Sequence, residues 1–346
     1  MLKIAEAVRE AATRIVPAEL RGPETPTGRS PHDVIHTHGP TRLLYYPPKD
    51  GVKVHRTPVL FIYSLINKYY ILDFMPGRSL IEHFTQKGHA CYVIDWGVPG
   101  VSEAKKGLAD YLLTYLGGAV KHICQRDSVE SVSLFGYCMG GTMGAMYTAL
   151  RPERVNSLVA LATPVDFEGE GLLNTWTRSD LFNVDALVDA YGHIPSWLLE
   201  AGFRMLNPLG NLTKWRDLWQ NRERDGFVDT WRAMETWSAD NVPFPGELYR
   251  QYIRDCYQQN LLVKGEMQID GETVDLSRIT CPVLAILAER DHIVPLSSGE
   301  PLMDLVGSED TQLIKYKTGH IGLSTSGKGA TVFWPPIESW VAERSA

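Results

Sequence analysis

Apolar positions along the chain fall into two rhythms. Residues 2–15 place Ile4, Val8, Ala11 and Ile15 at spacings of four, three and four, which predicts one weakly apolar helical stripe. Residues 17–40, rich in Pro, Gly, Thr and His, read as an irregular connection. From about residue 41 the pattern becomes strand, helix, strand. "TRLLYYPP", "PVLFIYSLI" (58–66), "HACYVIDWG", "SVSLFGYC" and "VNSLVALATPVDF" are strand-like runs. Between them, "SLIEHFTQKG" predicts a short helix capped at Gly88, and "LADYLLTYLGGAVKHICQ" and "GGTMGAMYTALRPERV" predict two more. Continuous apolar strands alternating with helices imply a mostly parallel sheet covered on both faces.

The alternation stops at about residue 168. Residues 168–275 read as helical and irregular, and they hold six of the nine tryptophans: Trp176, Trp197, Trp215, Trp219, Trp231 and Trp237. Most of these indoles are expected to form the core of the inserted piece, with one or two lining an apolar channel. The sheet pattern resumes in "CPVLAILAERD" and "TQLIKYKTGH", and a last helix is expected near 333–343. The expected organisation is therefore an N-terminal helix and connection (1–40), an α/β core (41–167 and 276–346) and an inserted, mainly helical cap (168–275).

Composition narrows the function classes. A chain of 346 residues with 44% hydrophobic and 22% charged content is ordinary for a globular protein with a sizeable core. The net charge of −7 and the lack of a basic tract argue against nucleic-acid binding. Charges at Lys3, Glu6, Arg9, Glu10 and Arg14 interrupt any signal-peptide core, and the longest apolar run (58–66) is too short to span a bilayer. Five cysteines without paired or metal-like spacing point to reduced thiols in a cytoplasm.

The chemistry concentrates at Gly136-Tyr137-Cys138-Met139-Gly140, where a strand runs into a helix. This is the spacing of a nucleophile elbow, with cysteine in place of serine. The following helix would present its positive end to the sulfur, favouring thiolate. The Met139 N–H would supply one oxyanion donor, and the loop around Ser64–Asn67 the other. An elbow of this kind requires the order nucleophile, acid, histidine. Asp291 follows one late strand and His320 the next, at the strand ends where sites form in open α/β sheets. Glu289 competes with Asp291 for the acid role. His292, His32, His36 and His38 read as structural, since no companion ligands accompany them. The fold expected from these residues is an α/β-hydrolase fold with a cap.

With those residues in place, the chain resembles the catalytic subunits of polyhydroxyalkanoate synthases of the short, two-component type. The matching segments are "NKYYILDFMPGRSL" (67–80), "VIDWGVPG" (93–100), "GYCMGGT" (136–142), "TPVDF" (163–167), "YRQYIRDCYQQN" (249–260), "RDHIVP" (290–295) and "TGHIGLSTSGK" (318–328). The resemblance implies Cys138 as the acyl-bearing nucleophile, His320 as its base and Asp291 as the carboxylate behind the base. It implies backbone N–H groups of Met139 and Ile66 as the oxyanion pair. The implied substrate is an (R)-3-hydroxyacyl coenzyme A, 3-hydroxybutyryl first, polymerised with release of coenzyme A. No metal or resident cofactor is implied. A non-catalytic second subunit, a homo- or hetero-oligomer, and association with cytoplasmic polyester granules are expected from the same resemblance. Two other readings stand beside it: a cysteine-dependent depolymerase or acyl-CoA thioesterase, and a non-catalytic granule-associated protein.

Overall fold

A computed structural model describes residues 27, 28 and 30–345, so the helix expected over 2–15 lies outside the described residues. The strands of the central sheet are β1 (Asp33–His38), β2 (Thr41–Tyr46), β3 (Val59–Ile62), β4 (Cys91–Asp95), β5 (Val132–Tyr137), β6 (Val155–Leu161), β7 (Val283–Ala288) and β8 (Thr311–Tyr316). They form one eight-stranded sheet in the order β1-β2-β4-β3-β5-β6-β7-β8. The β1/β2 and β2/β4 pairs are antiparallel, and every other pair is parallel. Every residue of β3, β4, β5 and β7 is buried. This is the burial that continuous apolar strands require when both faces are covered.

Residues 33–38 correct one expectation. They form strand β1, not part of an irregular connection, and pair with β2 from Asp33↔Tyr45 to His38↔Thr41. Their mostly exposed, histidine- and threonine-bearing pattern gives no apolar alternation to read. The strand exists because a tight turn at Gly39–Pro40 folds it onto β2, which supplies the hydrogen bonds that its own sequence does not advertise.

Alternating side chains along each strand feed two cores. Leu60, Ile62 and Leu134 point to one face, against Tyr111, Leu112, Met143 and Met146. Val59, Phe61 and Phe135 point to the other, against Leu80, Phe84, Trp334 and Ile337. The helices that supply these residues begin with α1 (Leu80–Gln86), capped by Ser79, whose side chain accepts from the Glu82 N–H at 2.9 Å. Next come α2 (Gly117–Asp127), preceded by a wider π-type stretch over Asp110–Leu116, and α3 (Met139–Leu150). A last helix spans Trp334–Glu343. Fully buried His89, just ahead of β4, ties that last helix to the sheet by a 2.9 Å contact between its Nε2 and Glu338 Oε1.

Between β6 and β7 the chain leaves the sheet. Its longer helices there are Val184–Tyr191, Ser196–Leu206, Pro208–Asn221 and Phe227–Ala239, followed by Gly246–Gln251. Arg250 binds Asp185 at 2.5 Å and Asp189 at 2.6 Å, joining the last of these helices to the first. The tryptophans do not form a common core here. Trp237 is buried, Trp215 and Trp231 are a half-buried pair with ring centroids 5.2 Å apart, and Trp197 and Trp219 are 47% and 63% exposed. The helices bury too little to enclose indoles: Ser196–Leu206, for example, buries Leu206 alone.

Candidate active site

The turn after β5 is tight in a way that dictates its sequence. Cys138 has φ +56° and ψ −128°, a strained conformation for a residue with a side chain. Its N–H donates to the Leu161 carbonyl at 2.9 Å, and its own carbonyl accepts from Gly141 N–H at 2.9 Å to start α3. Two flanking glycines are required by close approach. A Cβ on Gly140 would lie 2.1 Å from the Ile62 carbonyl oxygen, and one on Gly136 would lie 2.3 Å from the Gly141 Cα. The elbow therefore lifts the partly exposed Cys138 side chain out at the carboxyl edge of the sheet, at the head of α3.

The loops after β7 and β8 bring the two other expected side chains together. His320 Nδ1 meets Asp291 Oδ2 at 2.6 Å. The other carboxylate oxygen of Asp291 accepts from the Ile293 and Val294 N–H groups at 2.8 and 2.9 Å, which fixes the direction in which the carboxylate faces the ring. Glu289 and His292 are exposed and stand outside this pair. Burial opposes charge on His320. The negative charges of Cys138 and Asp291, with hydrogen bonds to both, outweigh burial and push its pKa up to about 10. By contrast, burial alone raises the Cys91 thiol, as for an inert core cysteine.

The remaining expected donors are placed less simply. Buried Met139 is the first residue of α3, where backbone N–H groups have no partner within the helix. The Ile66 N–H lies on the loop after β3, and here it donates to Ser64 Oγ at 3.1 Å. That loop is held by a turn of the insertion that sequence reasoning did not single out. Trp237 Nε1 donates to the Lys68 carbonyl at 2.9 Å, and Asp240 takes the Tyr70 hydroxyl and Lys68 Nζ, both at 2.9 Å.

Aromatic residues close the other side. Phe167, Tyr252 and Tyr257 form a cluster with ring centroids 4.7 to 5.9 Å apart. Burial raises both phenols, and the Tyr252 hydroxyl reaches Thr142 Oγ1, in the first turn of α3 after Cys138, at 3.5 Å. A cavity of about 580 Å³ is lined by Phe167 and Tyr257 together with Asn174, Thr175 and Arg178, a size suited to a small-molecule arm. Among the described residues, the three-member group with metal-ligand side chains is His55, His89 and Glu338. His89 precedes β4 whereas Cys138 follows the parallel β5, so that group lies at the opposite end of the sheet.

A parallel sheet, a strained cysteine elbow at its carboxyl edge and an Asp–His pair on the two following loops define a protein of the α/β hydrolase fold. The family model of that fold matches residues 57–326. A monoglyceride lipase of Saccharomyces cerevisiae superposes with TM-score 0.56 at 13% identity, covering 95% of this chain and 99% of that one. A hydrolase of Pseudomonas aeruginosa gives 0.54 at 17% identity, covering 92% and 99%. The sequence is more specific than the fold. The chain belongs to the poly(3-hydroxyalkanoate) polymerase family: residues 27–84 match the model of the poly-beta-hydroxybutyrate polymerase (PhaC) N-terminus. The chain is 34% identical to the poly(3-hydroxyalkanoate) polymerase subunit PhaC of Thiocystis violacea, over 92% of this chain and 90% of that protein. It is 40% identical to the subunit of the same name from Haloferax mediterranei, over 93% of this chain but 66% of that longer protein. With the Synechocystis subunit the identity is 38%, over 83% and 78%.

Proposed function

We propose that this chain is the catalytic subunit of a polyester synthase that polymerises (R)-3-hydroxyacyl coenzyme A, 3-hydroxybutyryl first, through an acyl thioester on Cys138. The observation that carries this reading is the sulfur nucleophile on the elbow, coupled to a histidine that Asp291 holds at 2.6 Å, in a chain of the polymerase family.

The Cys138 thiolate attacks the substrate's thioester carbonyl, and the carbonyl electrons move onto oxygen. The Met139 and Ile66 N–H groups receive that oxyanion, Ile66 exchanging its bond to Ser64 Oγ for the stronger charged acceptor. Collapse breaks the bond to the coenzyme A sulfur, which leaves as thiol with the proton from His320. One thioester has replaced another, so the step is nearly isoenergetic and repeatable. The hydroxyl of a second acyl unit then gives its proton to His320 and attacks the acyl-cysteine. An oxoester forms, the Cys138 thiolate returns, and the chain is longer by one unit. Asp291 stabilises the imidazolium in both steps.

Coenzyme A enters and leaves with substrate, so this chemistry needs no resident cofactor or metal. Water must be kept from the acyl-cysteine, and the insertion over the carboxyl edge is the element that does so. In this reading the protein works in the cytoplasm at the surface of a growing polyester granule. It works with a second, non-catalytic subunit in a homo- or hetero-oligomer, and without nucleic acid. Among the described residues no helix is long and apolar enough to cross a membrane.

The test is a product assay with (R)-3-hydroxybutyryl coenzyme A, with and without a candidate second subunit. Thiol release accompanied by polymer, lost in Cys138→Ala, supports the proposal. Thiol release with free hydroxy acid as the product makes the protein a hydrolase.

A further inference from the structure

The loop that carries Ile66 is fastened by one short stretch of the insertion. Residues 237–242 reach it at successive positions. The Val242 N–H donates to the carbonyl of Ile66 itself at 3.4 Å. Asn67 and Asn241 form an antiparallel bridge, reinforced by a hydrogen bond from Asn67 Nδ2 to Asn241 Oδ1. Asn241 is braced in turn by donating to the Ser238 carbonyl at 2.9 Å. Next along the loop, the Lys68 carbonyl accepts from buried Trp237 at 2.9 Å, and the Lys68 ammonium meets Asp240, also at 2.9 Å. Main-chain atoms of the loop are therefore held by main-chain and side-chain atoms of the insertion, in register, across a sequence separation of about 170 residues.

The position of this loop matters through a single amide. An oxyanion donor is effective only when it is held where charge develops, and a displacement of about 1 Å is enough to cost much of its effect. The loop's own local bond, from Ile66 N–H to Ser64 Oγ, sets the amide's orientation within the turn but does not anchor the turn to the elbow. Trp96 Nε1 fixes the start of the loop at the Tyr63 carbonyl, at 2.9 Å, and the anchoring of residues 66–68 comes from 237–242. We propose that Trp237 and Asn241 are positioning residues for the oxyanion site, so that acylation of Cys138 is fast only while this stretch of the insertion is seated on the loop. This rests on the acyl-transfer reading of the site and adds to it. The insertion shields the intermediate and also completes the machinery that forms it.

The experiment separates a misplaced oxyanion donor from a damaged nucleophile. Two reactions of Cys138 are compared in the full-length protein. Acylation by 4-nitrophenyl acetate passes through a tetrahedral oxyanion: the thiolate adds to the carbonyl, 4-nitrophenolate leaves, and the burst reports the rate. Alkylation by iodoacetamide displaces iodide at a saturated carbon and forms no oxyanion. Trp237→Phe keeps the ring but removes the donor to Lys68. Trp237→Phe combined with Asn241→Leu removes the side-chain bridge as well. The expected result is a burst rate about 10-fold lower in the single variant and about 100-fold lower in the double variant, the scale of a lost oxyanion donor. Alkylation should stay within about twofold of wild type, because that reaction uses no such donor. Parallel loss of both reactions, or no loss of either, overturns the proposal. A wild-type burst without turnover of (R)-3-hydroxybutyryl coenzyme A, with the second subunit present as well as without it, refutes the polymerase reading while the comparison still decides the role of Trp237 and Asn241. No wild-type burst overturns both.

Discussion

The hydroxyl of Tyr137 donates to the main-chain carbonyl of His320 at 2.8 Å, so the residue before Cys138 holds the backbone of His320. Their rings stack with centroids 5.2 Å apart. Tyr137 is fully buried, and burial keeps its phenol neutral, fit to donate. Tyr137→Phe leaves a buried carbonyl without that donor. The Leu323 N–H still donates to that carbonyl at 3.3 Å, so the expected loss is about 0.5–1.5 kcal/mol of stability, read by denaturant unfolding. Acyl transfer should fall with it, because the His320 loop is no longer pinned. An unchanged unfolding midpoint would mean that the carbonyl finds another donor.

Sulfur at position 138 is the centre of the proposed chemistry. Cys138→Ala is expected to abolish coenzyme A release while leaving the far-UV circular dichroism unchanged. Cys138→Ser preserves the elbow but presents a far weaker nucleophile and a poorer leaving group for onward transfer. Its thiol-release rate is expected to fall at least about 100-fold, measured with a chromogenic thiol reagent.

The charge on His320 gives a pH prediction with a definite sign. Its folded-state pKa is raised to about 10, against about 6.5 in an unfolded chain. The pairing with Cys138 and Asp291 therefore stabilises the fold fully below pH about 6.5, and the contribution is lost as pH rises through about 10. Asp291→Asn should lower the midpoint of His320, followed by NMR of labelled imidazole. It should also cut acyl transfer about 100-fold or more. Glu289→Gln, at an exposed position, should change neither.

Gly140 tests the tightness of the elbow. Gly140→Ala would set a Cβ against the Ile62 carbonyl, a main-chain atom of β3 that has no rotamer to yield. The expected cost is about 1–3 kcal/mol in unfolding free energy, with acylation lost as the elbow shifts. A variant with wild-type stability would show that β3 can move aside.

Much of this site was legible in the sequence because it depends on local order. Gly136-x-Cys138-x-Gly140 describes a turn whose geometry is set within a few residues. Asp291 and His320 follow strands recognisable from their apolar runs, and chain order then assigns them. Strand β1 was not legible, since its hydrogen bonds come from β2 and its own side chains are mostly exposed. The tryptophans of the insertion looked like core because burial of an indole depends on how many layers surround it, which composition does not record. The hold of Trp237 and Asn241 on residues 66–68 was invisible for a related reason. It joins positions about 170 residues apart, and the loop's partners include main-chain carbonyls, which carry no residue identity.

The pairing of β1 with β2 bears on where the chain can be cut. Residues 27–40 look dispensable beside the catalytic sheet, yet Ser30 binds Asp73 through both its N–H and its hydroxyl, and Gly28 N–H donates to the Asp73 carbonyl. Trimming to residue 41 would bare the outer edge of β2, a row of unpaired N–H and C=O groups beside the buried Leu43 and Leu44. An open edge of that kind recruits another copy of itself. The shortened protein would therefore be prone to self-association through its sheet edge, and a soluble aggregate on size-exclusion chromatography would be its signature.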